Sequence, residues 1–255
     1  MFKSFDLKLE RIIGSQEAGQ RLYEDQKKEV ATSLDPFLNV EGTLSAAKLQ
    51  EHWFPNIRAD IFVSHSHADL ATAIAFAEWL HRVFRLRAFV DSCIWGHFVE
   101  LQKRIDQKYC WNADSETFDY SKRNRSTSHV HSILSAALWK MIDNTECLFF
   151  LNTPQSIQTR DLQSQTFSPW IFSEINMAGL VRKRSPDYHR SLVKKAATAK
   201  LSESHLEVSY DLDLSQLTQL SQNDLNRWEQ SMNVLPRPHG LDSLYELKRK
   251  SQILR

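Results

Sequence analysis

The chain has 255 residues, a formal net charge of +1, and 42% hydrophobic against 25% charged residues. That length and balance suit one large globular domain, or a domain with an extension. Near-neutrality removes any global pull towards nucleic acid or an anionic membrane, so neither is expected as a partner. The three cysteines, Cys93, Cys110 and Cys147, form no disulfide framework and no CxxC metal signature, which suits a reducing cytoplasm. The N-terminus lacks an apolar core with a cleavage site, and no run approaches the length of a bilayer span, so export is not expected.

In chain order, residues 15–32 are highly charged and predict an exposed helix that breaks at Pro36. A second short helix is predicted over 44–53, stopping before Pro55. Together these make residues 1–58 a helical N-terminal extension, too polar to bury a core alone. The main domain is placed at 59–235 and a tail with a last short helix at 236–255. Ile61, Phe62 and Val63 read as a short buried strand that ends in Ser64-His65-Ser66-His67-Ala68-Asp69. A helix follows over 70–84, with Ile74, Ala77, Leu80 and Phe84 on one face. A second strand, 87–90, leads into the loop Asp91-Ser92-Cys93-Ile94-Trp95-Gly96 and a helix over 97–109. Residues 109–127 resemble an inserted hairpin, with Trp111, Phe118 and Tyr120 around a polar turn.

A long helix over 128–142 then precedes a third strand, 146–151. The segment 152–167 reads as a loop into a helix that begins Ser168-Pro169-Trp170 and carries Glu174. Ser168 is the expected N-cap and Pro169 the first helical residue. A further strand is predicted near 206–210 and a helix over 214–232. Arg182 to Lys200 is locally basic; it reads as a solvated loop, or alternatively as a phosphate- or partner-binding rim.

Short apolar strands alternating with helices predict an α/β, doubly wound, mostly parallel sheet covered on both faces. Ligands of such sheets bind beyond the carboxyl ends of the strands. Here those ends are 64–69, 91–95 and 152 onward into Glu174, so three polar segments distant in sequence converge on one edge. A carboxylate in so apolar a stretch as Phe167 to Glu174 costs free energy unless a partner or ligand uses it. Glu174 is therefore the candidate catalytic group, the alternative being a buried structural carboxylate with an Arg or backbone partner. Trp170 lies four residues before it on the same helical face, either packing the helix or shaping the cleft. Ser64 either caps a turn or contacts substrate, and Asp69 is expected to cap the helix at Leu70. His65-Ser66-His67 and His129-Val130-His131 are HxH pairs, but nothing in the sequence completes a metal site, and none is expected.

Three motifs carry a family resemblance. Asp60-Ile-Phe-Val-Ser-His-Ser-His-Ala-Asp69 resembles the first strand and loop of Toll/interleukin-1 receptor (TIR) domains. Phe89-Val-Asp-Ser-Cys-Ile-Trp95 looks like the second strand and BB loop of bacterial members. Ser168-Pro-Trp-Ile-Phe-Ser-Glu174 is similar to the family's Ser-x-Trp-x-x-x-Glu pattern. The resemblance covers residues 60–210 and implies a flavodoxin-like TIR fold. It implies an enzyme that cleaves the nicotinamide–ribose bond of NAD, with Glu174 catalytic and Ser64, His65, Ser66, Asp91, Trp95 and Trp170 lining or shaping the site. NAD would be substrate, with no cofactor, and no GxGxxG or Walker loop is present to bind it in a dehydrogenase manner. It further implies a cyclic or linear ADP-ribose signal in bacterial antiphage defence, self-association through TIR surfaces, and an effector reached only through the product. The rival implied by the same family is a non-enzymatic adaptor docking through the BB loop. A third reading is a nucleoside deoxyribosyltransferase-like hydrolase.

Overall fold

The computed structural model describes residues 1–24, 34–39, 43–94, 98–160, 163–166, 168–191, 210–211, 214–233 and 238–253. The elements in chain order are β1 (Lys3–Leu7), α1 (Gln16–Glu24), α2 (Ala46–Trp53), β2 (Ile61–Ser64), α3 (Leu70–Phe84), β3 (Ala88–Phe89), α4 (Asp91–Ile94) and α5 (Phe98–Tyr109). There follow β4 (Trp111–Asn112), β5 (Thr117–Phe118), α6 (Tyr120–Asn144), β6 (Cys147–Leu151), β7 (Gln158–Arg160), β8 (Gln163–Thr166), α7 (Pro169–Leu180) and α8 (Pro186–Ser191). The chain continues through β9 (Tyr210–Asp211), β10 (Thr218–Leu220), α9 (Gln222–Ser231) and α10 (Gly240–Ile253).

Five strands form one sheet in the order β10-β1-β6-β2-β3, and every neighbouring pair is parallel. Each face of the sheet carries its own core. Phe62, Leu148 and Phe150 pack with residues of α2, α5, α6 and α7. Phe5, Val63 and Phe149 pack on the opposite face with residues of α1, α3, α9 and α10. This is the doubly wound α/β arrangement that the alternating pattern predicted. The uninterrupted apolar run Cys147–Leu151, wholly buried, suits the central strand of such a sheet.

Several elements differ from the sequence expectation. The first strand lies within the region 1–58 assigned to a helical extension, yet β1 sits inside the main sheet between β6 and β10. Its alternation explains this: Phe5 and Leu7 fill one core, while Ser4 and Asp6 point to the other face. The stretch 214–232, read as one helix, contains strand β10, which pairs with β1, and only then enters α9 at a Ser221/Asp224 capping box. The loop 152–167 contains β7 and β8, and β9 pairs antiparallel with β8 instead of joining the main sheet. The strand predicted near 206–210 lies mostly outside the described residues. The hairpin is present as β4 and β5, and α6 starts at Tyr120 because Asp119 caps it, accepting a hydrogen bond from the Lys122 N–H at 2.8 Å.

Candidate functional site

Strands β2 and β6 are neighbours, but the chain leaves them towards opposite faces of the sheet. From β2 it enters α3 on one face, and from β6 it runs through β7 and β8 to α7 on the other. Such a divergence opens a crevice at the carboxyl ends of the two strands. Ser64 is the last residue of β2 and lies in register with Phe150, so its side chain faces α7.

Helix α7 starts as its sequence predicts. Ser168 accepts a hydrogen bond from the Ile171 N–H at 3.3 Å, and Pro169 occupies the first turn. Ile171, Glu174, Ile175 and Ala178 recur at helical spacing and are buried, so Glu174 is carried on the apolar stripe. The residue is 3% exposed, and Ser64 Oγ donates a hydrogen bond to its Oε2 at 2.5 Å. Burial pushes the Glu174 carboxyl well above its ordinary value, the charge of Asp91 adds to that rise, and the Ser64 hydroxyl opposes it.

Asp91 opens α4 immediately beyond β3 and remains partly exposed. Its Oδ1 lies 3.7 Å from the Nδ1 of buried His65, which is also 3.2 Å from the Val63 carbonyl. The His65 Nε2 is buried without a hydrogen-bond partner. Ser64, His65, Asp91 and Glu174 therefore form one polar group at the edge of the sheet.

The remaining predicted site residues are placed differently. Ser66 makes a local turn, its Oγ 3.4 Å from the Ala68 N–H. Trp170 stacks on His131 of α6, with ring centroids 5.4 Å apart, and meets Phe98 of α5 edge-on. Trp170 thus packs α7 against its neighbouring helices, and His131 is occupied as its ring partner. Trp95 and Phe167 lie outside the described residues. Asp69 heads α3 but makes no side-chain cap; it accepts a hydrogen bond from Thr153 Oγ1 at 2.6 Å. That bond ties the loop after β2 to the loop after β6. Nothing in the sequence pointed to Thr153, because its partner is 84 residues away.

A cavity of about 340 Å³ opens at the same end of the sheet, but over β10, β1 and β6 and not over Glu174. Asp6, Lys8, Asn152 and Gln219 supply its polar lining. Asp6 went unnoticed in the sequence because the polar residues around it hid β1. Among the described residues no group of three or more His, Cys, Asp or Glu side chains is arranged to hold a metal ion.

The basic run is partly structural. Arg190 of α8 donates to both oxygens of buried Glu146, at 2.9 and 3.0 Å, and to both of Asp242 in α10, at 2.8 and 3.0 Å. Arg184 pairs with Asp143 at 2.7 Å.

No protein-family model matches this chain, and no curated protein or solved structure matches it.

Proposed function

We propose that the chain is a TIR-like enzyme that cleaves the nicotinamide–ribose bond of NAD, with Glu174 as its catalytic carboxylate. The observation that carries this reading is the buried Ser64–Glu174 hydrogen bond at the β2–β6 crevice, where two of the three resembling motifs meet. Cleavage breaks the bond between the ribose carbon and the ring nitrogen, and the electron pair leaves with neutral nicotinamide. Positive charge is left on the ribose, an oxocarbenium-like centre akin to that of glycoside hydrolysis. A fixed carboxylate in a dry crevice stabilises such a charge strongly, because little solvent screens it. The leaving group is already cationic and needs no second acid.

The raised affinity of Glu174 for its proton fits that task in a specific way. Burial and the charge of Asp91 disfavour the ionised carboxylate when the site is empty. A cationic nicotinamide ring arriving beside it favours loss of that proton, so the carboxylate forms where the charge develops. The Ser64 hydroxyl then stabilises the ionised form by a charge-assisted bond. Because Glu174 is nearly sealed, substrate has to displace neighbouring side chains to reach it. A low basal rate follows.

Incubating the protein with NAD and following free nicotinamide tests this reading. Glu174→Gln should lower the rate about 100-fold or more, the scale of losing one preorganised electrostatic contact. Equal release by both proteins would remove Glu174 from the role. Mass spectrometry of the product then separates linear from cyclic ADP-ribose, which depends on whether water or an adenine nitrogen attacks the ribose carbon. Signalling in antiphage defence belongs to this proposal through the family resemblance alone.

One observation favours a second reading, a non-enzymatic assembly module. The β4–β5 hairpin presents Trp111 and Phe118 at 47% and 38% exposure, with Tyr120 at the start of α6 beside it at 78%, and clustered exposed aromatics suit a protein interface. Self-association that survives Glu174→Ala, fails in a Trp111→Ala/Phe118→Ala double variant and leaves NAD intact would support it.

A further inference from the structure

The cavity beside β1 has a chemistry of its own. Asp6 forms its floor and is 1% exposed. One carboxyl oxygen, Oδ2, accepts a hydrogen bond from Gln219 Nε2 at 2.7 Å, whereas Oδ1 is buried with no hydrogen-bond partner. An unpaired buried carboxyl oxygen is costly, and native structures keep few of them. Asp6 is in register with Gln219 on one side and with Phe150 on the other, and Phe150 is in register with Ser64. The floor of the cavity therefore faces the same side of the sheet as Ser64, two strand spacings away, about 10 Å. The buried Phe150 ring separates the two. Lys8, the residue after the end of β1, stands exposed at the rim. Asn152, Ile157, Leu214 and Ser215 complete the wall.

We propose that this cavity is a binding site for a small hydroxyl-rich molecule bearing an anionic group, of the sugar-phosphate class. A ligand hydroxyl donates to the unpaired Oδ1 of Asp6 once the side chains that close over this buried oxygen give way. The side-chain amides of Asn152 and Gln219 take further hydroxyls, since each amide both donates and accepts. The Lys8 ammonium at the rim binds the phosphate as a point charge. The order of charges selects this class: the floor carboxyl disfavours a bare anion, and the rim ammonium disfavours a simple cation. The volume, near the lower end for small-ligand sites, suits one sugar phosphate and not a whole dinucleotide. The site is separate from the Glu174 crevice and does not depend on NAD cleavage.

Isothermal titration of the full chain with ribose 5-phosphate, ribose and inorganic phosphate tests the assignment. The expected result is saturable binding of ribose 5-phosphate, with ribose and phosphate each at least about tenfold weaker. Asp6→Asn, isosteric but short of the acceptor charge, should weaken ribose 5-phosphate about tenfold or more. Lys8→Glu should weaken it likewise while leaving ribose itself unchanged. Absence of saturable binding, undiminished binding in both variants, or phosphate binding as tightly as ribose 5-phosphate would each overturn the proposal. Should Asp6→Asn fail to fold, as judged by circular dichroism, the exposed Lys8 variant carries the same decision.

Discussion

Glu174 shows how one residue can be expensive to the fold and still be kept. The folded chain holds its proton to higher pH than the unfolded chain, whose carboxyl titrates near 4.5. Above pH 4.5 the folded state therefore binds more protons, and stability declines as pH rises through the interval between 4.5 and the raised value. Glu174→Gln removes that titration. Its unfolding temperature should exceed that of the wild type at pH 8 by about 2 °C or more, the shift that roughly 1 kcal/mol makes in a domain of this size. The difference should vanish at pH 4. Thermal denaturation of both proteins across that range checks this, and a gap independent of pH would contradict it. Ser64→Ala should act in the opposite sense on the ionised form. Losing the donor raises the Glu174 carboxyl further and moves the rising limb of any pH–rate profile to higher pH. The Glu174 position was legible in the sequence, because a carboxylate on an apolar helical stripe stands out. Its partner was legible only as a strand end, since the bond joins residues 110 apart.

Helix α1 illustrates how an element with little apolar surface docks. Gly19 sits against α3 so closely that a Cβ would lie 2.5 Å from the Ile74 carbonyl oxygen and 2.6 Å from its Cγ2. Backbone cannot yield cheaply, so Gly19→Ala should destabilise by about 1–3 kcal/mol and lower the unfolding temperature by several degrees. An unchanged temperature would mean that α1 contributes nothing to the cooperative unit. The polar composition of residues 15–32 suggested a solvated helix; small side chains at the contact are what let it pack. Tyr23, from the same helix, adds a buried anchor by donating its hydroxyl to the Ala88 carbonyl at 2.8 Å. Helix α7 was easier to foresee, because its cap, its proline and its apolar stripe all lie within eleven residues.

At the scale of the molecule, Arg190 joins the amino end of β6 to α10, with the Tyr245 hydroxyl adding a bond to Glu146 at 3.1 Å. Removing the guanidinium strands Glu146 as a buried, uncompensated charge. Arg190→Met should therefore cost about 3–5 kcal/mol, read by chemical denaturation, and a Glu146→Gln/Arg190→Met double variant should recover part of it. A loss below 1 kcal/mol would show the network to be dispensable. The hydrogen bond from Arg190 holds the Asp242 carboxyl below its ordinary 3.8. The stability it lends is thus present above pH 3.8 and is lost as pH falls through the depressed value.

The sequence by itself determined the alternation of strands and helices, the helix stripes, the Ser168 cap and the position of Glu174. Each of these is local, set by periodicity or by residues within a turn or two of one another. Tertiary structure alone decided that Lys3–Leu7 enters the sheet between β6 and β10, that Thr218–Leu220 is a strand, and that Asp69 binds Thr153 instead of capping α3. It also decided that Trp170 packs on His131 and that Asp6 lies at the floor of a cavity. All of these depend on pairings between residues far apart in the chain. Short polar strands carry too little apolar signal to announce such pairings; a neighbouring strand completes their hydrogen bonds and thereby fixes where they go.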